Sequence, residues 1–464
     1  MMSKMMKYGI GAVAVTAAIG GGAILYMNSV ADQIAADLLS DAEQFVADNM
    51  NGATLSYSSY SSSGLSRSLT LADVSLAHEN GSAITMDSIT IAGSEEQISI
   101  SDATNIKMQN RGETIAQIAA LDIVNFAIPE GNMMLMLMDE DELAKNISVD
   151  QLSFRDASIA FDGESLMIGS LDIDNVRNAS AAVSIKDMRF DGYAGAFGVD
   201  DFTVDHIDFI PLLMEDEDAI MRDMLGIGDM SVKGLVVDMA DLNFNMASLT
   251  LDDITRDGGL MTSASMDMKG LKIDVEDIVG PDMAPMFMLI GINEIEVNGS
   301  TAYDISLAKG TVSGSFGLGV KGLGEIDMSA GFAGLTKDKY EDLLKNAAYI
   351  APEDYIAYYG LGLDSLSVDY RDDSLADTLL DLYSGGNRAN LAQEVSAMIS
   401  FYGMMSQQSD LANAIAPAVS GFIKGGNKFS LSIKAKQSLN EDVIMKAMEN
   451  GTLQDIITIT ASGS

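Results

Sequence analysis

The residues best able to do chemistry in this chain are its carboxylates, because 68 Asp and Glu stand against 27 Lys and Arg. The densest runs lie at residues 139–142 and 215–218. Carboxylates suit Ca²⁺, but a dedicated calcium loop alternates its ligands around a glycine, and neither run has that spacing. Asp is otherwise spread along strand ends and polar faces, which favours a highly solvated surface. The sequence therefore predicts no metal site.

Most catalytic arrangements are excluded by the residue counts, since the chain has two histidines and no cysteine. His78 and His206 lack a second His at helical spacing for zinc, and no G-x-S-x-G elbow precedes a helix. The glycines at 317–324 lie in a strand pattern and lack the Lys-Ser/Thr pair of a phosphate loop. No pair of acids stands out for glycoside cleavage, and Trp is absent. We expect no catalytic residues, no cofactor and no enzymatic activity.

An uncharged segment at residues 9–27 follows Lys4 and Lys7. A helix rises about 1.5 Å per residue, so this segment would span roughly 28 Å, close to the hydrocarbon thickness of a bilayer. The two lysines predict a cytoplasmic N-terminus under the positive-inside rule. We therefore expect a single-pass anchor, with the rest of the chain exported.

A cleaved secretory signal is the alternative interpretation of the N-terminus. Ser29 and Ala31 are small residues at the positions that a signal peptidase reads, which would place cleavage before Asp32. The apolar stretch is longer than the roughly 7–15 residues of a typical signal core. This length favours an uncleaved anchor.

The charge and composition of the exported part limit the partners and the kind of structure that it can have. Subtracting Lys4 and Lys7 from 27 Lys and Arg leaves 25 bases against 68 acids, a formal charge of −43. Nucleic acid is excluded as an expected partner, because phosphate binding needs a basic face. A disordered acidic tail is excluded too, since 47% of the residues are hydrophobic. The 32 Met residues favour soft, adaptable apolar surfaces.

Two repeated patterns of period two run through residues 53–335. The first, with two apolar residues two apart and a third after a gap of three, begins at Ser68, Ser170, Asp201 and Ser248. The pair fits one face of a strand, and the displaced third residue predicts a bulge or a strand end. Such self-similarity is typical of repeat architectures, in which each unit buries its apolar face against its neighbours.

The second pattern is an eight-residue segment that begins at Ile147, Val183, Met230 and Met266, with offsets of 36, 47 and 36 residues. Its sixth and eighth residues must share a face, because side chains alternate along a strand. We expect these residues to form one apolar stripe along the sheet that faces lipid. They are Leu152, Phe154, Met188, Phe190, Leu235, Val237, Leu271 and Ile273.

The remaining elements complete the predicted organisation. Met-rich crossovers that follow or contain proline interrupt the strands near 127–138, 209–224 and 278–290, and helices dominate after 336. Capping boxes are predicted at Ser374 with Asp377 and at Ser438 with Glu441. The predicted regions are an anchor, a helical stalk, a repeated β-sheet domain and an α+β C-terminal region. They cover residues 1–28, 29–52, 53–335 and 336–464.

The order of these parts resembles the AsmA-like envelope proteins of Gram-negative bacteria. The resemblance rests on the anchor, a first strand at 53–59, a turn at Gly64, a hairpin strand at 67–76 and the repeated strands that follow. From 322–328 through 366–375 to the last strand, the sequence is similar to uncharacterised proteobacterial envelope proteins.

This resemblance implies a mainly β fold: an elongated, twisted antiparallel sheet, shaped as a groove or half-pipe, whose apolar face shelters acyl chains. It implies an inner-membrane protein anchored through residues 9–27, with its bulk in the periplasm and roles in lipid transport or outer-membrane homeostasis. It transfers no catalytic residues. The expected function is binding or shuttling of lipid along the sheet. The alternative is a non-enzymatic structural or assembly factor that binds protein partners.

Overall fold

A computed structural model describes most of the chain beyond residue 52. The described ranges are 53–127 without 65 and 94–96, 148–208 without 162 and 179, and 226–464 without 240–241, 258–259, 283, 290–291, 347–354 and 407, together with a few helical residues between 36 and 47. The predicted anchor, most of the stalk, the first two crossovers and both acid runs lie outside these residues. Within them, no helix is long and apolar enough to cross a membrane.

The chain divides into two compact units, at residues 1–242 and 243–464. The described part is mainly β and antiparallel, which confirms the predicted fold class at this level. The predicted boundary at 335/336 lies within the second unit, where strands give way to helices.

The first unit is an antiparallel meander. β1 and β2 both pair with β3, and every later strand pairs with the next one in sequence. Its strands are β1 (Ala53–Ser56), β2 (Ser59–Ser63), β3 (Ser68–His78), β4 (Ser82–Gly93), β5 (Gln97–Asn110), β6 (Glu113–Ala127), β7 (Val149–Phe161), β8 (Glu164–Arg177), β9 (Ser180–Gly192), β10 (Gly195–Asp208) and β11 (Met230–Met239).

The second unit is also a meander, in which each strand pairs with the next. Its strands are β12 (Leu242–Asp257), β13 (Leu260–Asp274), β14 (Glu294–Ser306), β15 (Thr311–Val320), β16 (Gly324–Ala333), β17 (Gly362–Asp372), β18 (Lys428–Leu439) and β19 (Ile457–Gly463). Its helices are α1 (Val275–Val279), α2 (Ala284–Leu289), α3 (Lys337–Asn346), α4 (Tyr355–Tyr358), α5 (Leu375–Ser384), α6 (Arg388–Met405), α7 (Ser409–Ile423), α8 (Glu441–Glu449) and α9 (Leu453–Ile456).

The core of the first unit lies at its N-terminal end. Alternate residues of β3, among them Leu69 and Leu71, are fully buried, as period-two patterning requires. Leu39 and Val46, from the helical residues before β1, belong to the same buried cluster. The predicted stalk therefore contributes two core side chains that cover the first strands.

Breaks in regular strand geometry occur where the first repeated pattern predicts a bulge or a strand end. Asp73, Asn175 and Asp253, each the sixth residue of its segment, have φ angles of 51°, 56° and 58°. Asp and Asn tolerate this left-handed conformation better than other non-glycine residues. In the remaining segment, which begins at Asp201 in β10, the pairing with β9 shifts register between Val204 and Ile207. A break in the alternation therefore lets the displaced apolar residue return to the face of the first pair.

Both predicted capping boxes are wrong in detail. The Asp372 carboxylate accepts hydrogen bonds from the N–H groups of Ala376 at 2.7 Å and Asp377 at 3.0 Å, and thereby caps α5. Ser374 instead donates its hydroxyl to the Gly322 carbonyl. In the second case, Asn440 caps α8, because β18 continues through Ser438. Each cap is set by a neighbouring strand end, which a local motif does not reveal.

Asp372 is nearly buried, at 6% exposure, and its hydrogen bonds should make α5 sensitive to pH. Burial raises the pKa of its carboxyl, but the Ala376 N–H, the Tyr370 hydroxyl and the Asp377 N–H all stabilise the carboxylate, and the net result is a lowered pKa. A group with a lowered folded pKa stabilises the protein above its unfolded pKa, near 3.9 for Asp, and this contribution disappears as the pH falls through the folded pKa.

Asp372→Asn should therefore lower the free energy of unfolding by about 1–3 kcal/mol at pH 7. The difference from the parent should shrink as the pH falls below about 4, because the parent then loses its own charge. Urea unfolding of both proteins across this range measures the difference. The neighbouring exposed Asp373→Asn is the control. A difference that stays constant down to pH 2.5 would contradict the capping role of the charge.

Candidate functional site

The eight residues predicted to face lipid all lie in strands and are all half-buried. Leu152 and Phe154 belong to β7, Met188 and Phe190 to β9, and Leu235 and Val237 to β11. Leu271 and Ile273 belong to β13 of the second unit. None of the eight is sealed in the core or strongly exposed.

Strand register shows which of these residues share a row. Leu152 pairs with Ile173, which pairs with Val183, so each residue of β7 is aligned across β8 with the β9 residue 31 positions later in the sequence. The repeated segments of β7 and β9 begin 36 residues apart. The β9 segment is therefore displaced by five residues along the strand direction from the position that would align it with the β7 segment. Val183 connects through Val204 to Met230, an offset of 47 that matches the repeat. The predicted single stripe is therefore divided: the β9 and β11 residues align, and the β7 pair does not.

The register instead defines three apolar rows in the first unit. The first runs through Leu69, Ile91, Ile100, Ile123, Leu152, Ile173, Val183, Val204 and Met230. A second contains Phe154, Leu171, Ile185, Phe202 and Val232. A third contains Phe190, Phe197 and Val237.

Burial declines along the first of these rows. Its first four members are buried, whereas Val204 is the only buried member from β7 onward. In the third row, the stacked rings of Phe190 and Phe197 have centroids 5.4 Å apart. Among the described residues, the strands β7 to β11 thus present apolar rows that are only partly covered.

In the second unit, the predicted residues Leu271 and Ile273 pair with apolar residues on both sides. Leu271 lies opposite Met246 and Val297, and Ile273 lies opposite Phe244 and Ile295. The two residues therefore belong to two adjacent rows on one face of β12 to β14.

The most exposed apolar row of this unit was missed by sequence reasoning. It runs through Leu251, Met266, Thr301, Phe316, Met328, Val368 and Leu431. Met266, Phe316 and Met328 are 41%, 46% and 38% exposed. Glycine surrounds Phe316 in the sequence and indicated only a hairpin. The alternation of β15 and β16 was a signal that could have placed Phe316 and Met328 on one face.

Helices cover both margins of this exposed row. At one margin, the ring of Phe422 in α7 packs against the rings of Tyr370 and Phe429, with centroid distances of 5.7 and 6.1 Å. At the other margin, Tyr340 of α3 donates a hydrogen bond to the Met261 carbonyl, and burial, followed by the nearby Tyr303, raises its pKa to about 12. We call Met266, Phe316 and Met328 the sheet patch.

Each of the two histidines has polar partners nearby. His206 contacts Ser180 at 2.9 Å and Asp208 at 3.2 Å, and His78 accepts a hydrogen bond from the Asn80 N–H at 3.1 Å. No group of three or more potential metal ligands exists in the described ranges. The exposed and half-buried apolar faces are the candidate site among the described residues.

A second exposed apolar surface lies on α5 and α6. On α6, Met398, Phe401, Tyr402 and Met405 recur at helical spacing and point away from the buried side of the helix. On α5, Leu382 and Tyr383 are 79% and 82% exposed. We call these residues, together with Leu379, the helix surface.

Comparison with known families gives one match. A family model described as an uncharacterized protein matches residues 317–463, which run from β15 to the end of β19. No curated protein matches the chain. The matched segment contains β16 to β19, α3 to α9 and the entire helix surface.

Proposed function

We propose that this protein is a membrane-anchored envelope protein that binds or shuttles lipid along the apolar face of its sheet. Residues 9–27 would hold it in the inner membrane, with the bulk of the chain in the periplasm. The observation that carries the proposal is the sheet patch: three large apolar side chains exposed in one cross-strand row, in a protein with a formal net charge of −41.

Physical chemistry supports an apolar ligand for this face. Exposed apolar surface costs free energy in water, and contiguous patches mark a ligand, a partner or a membrane. Two of the three residues are Met, whose flexible side chain can adapt to acyl chains of different shape. The half-buried rows of β7 to β11, which contain six of the eight predicted residues, would offer the same kind of surface in the first unit.

The proposal predicts loss of bound lipid when the sheet patch is made polar. Phe316→Asp places a charge among acyl chains but leaves it in contact with water when lipid is absent, because Phe316 is 46% exposed. We expect the chain from residue 29 onward to purify with lipid, and the variant to retain less than a tenth of it while its melting temperature changes little. Mass spectrometry of organic extracts measures the lipid.

Ser315→Asp is the matched control. Ser315 is adjacent in β15, points to the opposite face and is also exposed. This variant should keep its full lipid load. Equal lipid in the two variants, or none in the parent protein, would contradict the proposal.

A further inference from the structure

The helix surface has an unusual distribution of apolar residues for a helix of a soluble domain. The fully buried residues of α6 are small, Ala392 and Gly403, and Gly403 faces Ala412 of α7. Phe401 and Met405 lie about half a turn around the helix from this side, where polar residues are the norm. Four large apolar residues of α6 are therefore on the solvent side, while Leu391, Val395 and Ile399 are half-buried.

The turn between α5 and α6 is held rigidly by Arg388. Its guanidinium pairs with Asp377 and Asp381 of α5, at 2.6 Å in each case, and donates another hydrogen bond to the Asp377 carbonyl. Only 15% of the Arg388 side chain is exposed. The apolar residues of the two helices are thus presented by a fixed pair, without the ordering cost that a flexible segment would impose on binding.

The charge around the helix surface is acidic. Residues 373–410 contain five acids and one base, Arg388, which gives a formal charge of −4. The acids are Asp373, Asp377, Asp381, Glu394 and Asp410. Glu394 is exposed and lies one helical turn before Met398, on the same side of α6.

We propose that the helix surface binds a cationic amphipathic helix of another protein. Apolar residues spaced three and four apart on one helix are the pattern by which two amphipathic helices pair along their apolar faces. Met and aromatic residues supply the adaptable contacts and the binding hot spots. The acidic rim complements Lys and Arg at the margins of such a helix.

The same charge disfavours the other two occupants. Helices that lie on membranes are typically rich in Lys and Arg, which attract anionic headgroups, whereas this surface would repel them. A symmetric dimer through the same surface would bring together two copies of a region that carries a formal charge of −4, and these would repel each other. The inference is independent of lipid binding at the sheet patch, which lies on strands and uses none of these residues.

The absence of cysteine makes a direct test simple. Asn390→Cys places a single thiol at an exposed position of α6, about one turn before Glu394, for an environment-sensitive dye. The labelled full-length chain is reconstituted in phosphatidylcholine vesicles. The probes are an 18-residue Leu/Lys amphipathic helix, a Leu/Glu helix with the same spacing and a scrambled Leu/Lys peptide without an apolar face.

We expect the Leu/Lys helix alone to bind saturably, after subtraction of its binding to empty vesicles. Phe401→Ser should weaken this binding at least tenfold, and Glu394→Lys should weaken it severalfold at low salt. Gln393→Lys, an exposed neighbour off the apolar stripe, should have a smaller effect. The melting temperature should remain unchanged in all three variants, because each residue is exposed.

Several results would overturn the inference. They are equal binding of the Leu/Glu or scrambled peptide, no loss of affinity in Phe401→Ser, a dye response to anionic vesicles without peptide, and a dimer in sedimentation that Phe401→Ser dissociates. The last two would assign the helix surface to a membrane or to a second copy of the chain. The lipid content of Phe401→Ser should match that of the parent protein, so a failure here remains distinguishable from a failure at the sheet patch.

Discussion

Leu71→Asp should unfold the N-terminal part of the first unit, whereas Leu235→Asp should leave it folded. Leu71 is 0% exposed and belongs to the buried cluster that includes Leu39 and Val46. A carboxylate at this position has no partner and no water, which should lower the free energy of unfolding by more than about 4 kcal/mol. This loss is a large share of the total stability of a typical domain, about 5–15 kcal/mol. Leu235 is half-buried in β11, so its replacement can reach solvent.

Expression level, proteolysis and thermal unfolding distinguish the two outcomes. Leu71→Ala, which leaves a cavity without introducing a charge, should cost an intermediate amount of about 2–5 kcal/mol. If Leu235→Asp collapses expression as Leu71→Asp does, the rows on β9 to β11 are packed core and cannot receive lipid in the way proposed. Met188→Asp, in β9, provides an independent second variant for the same comparison.

Local patterns predicted the type of structure well. The alternation from residue 53 onward predicted strands, and the displaced third apolar residue predicted breaks that Asp73, Asn175 and Asp253 provide. These features depend on neighbours within a few residues, which is the range that sequence periodicity reports.

Register was not predictable in the same way. The repeat offset of 36 between the segments of β7 and β9 suggested that their sixth residues align, but pairing through β8 sets the offset at 31. Hairpin length and the residues of the intervening strand decide this alignment, and both act outside the repeated segment. The predicted stripe was therefore divided, although each residue lies on a partly covered strand.

The C-terminal helices illustrate a second limit of sequence patterns. Helices were predicted to dominate after residue 336, as α3 to α9 confirm, but the exposed sides of α5 to α7 were not predicted, because helices there contain apolar residues on more than one side. Which side is buried depends on the close contact of α6 with α7, a tertiary property. The helix surface became visible only through that contact.

Gly403→Val should detach α6 from α7 and thereby disturb the helix surface. Gly403 is buried, and a Cβ at this position would lie 2.3 Å from the Cβ of Ala412. Neither atom can rotate away, because a Cβ is fixed to its backbone. Glycine inside a helix costs about 1 kcal/mol relative to alanine, so its presence here is consistent with a helix pair that requires close approach.

The valine should destabilise the second unit by about 1–3 kcal/mol through overpacking. It should also raise hydrogen exchange in α6 much more than in β15 and β16, since the clash acts on one helix pair. Ala397→Val, an exposed substitution on the same helix, should change neither quantity appreciably. Unchanged exchange in α6 of Gly403→Val would mean that α6 does not depend on this contact. The fixed presentation of Phe401 and Met405 would then rest on the Arg388 ion pairs alone.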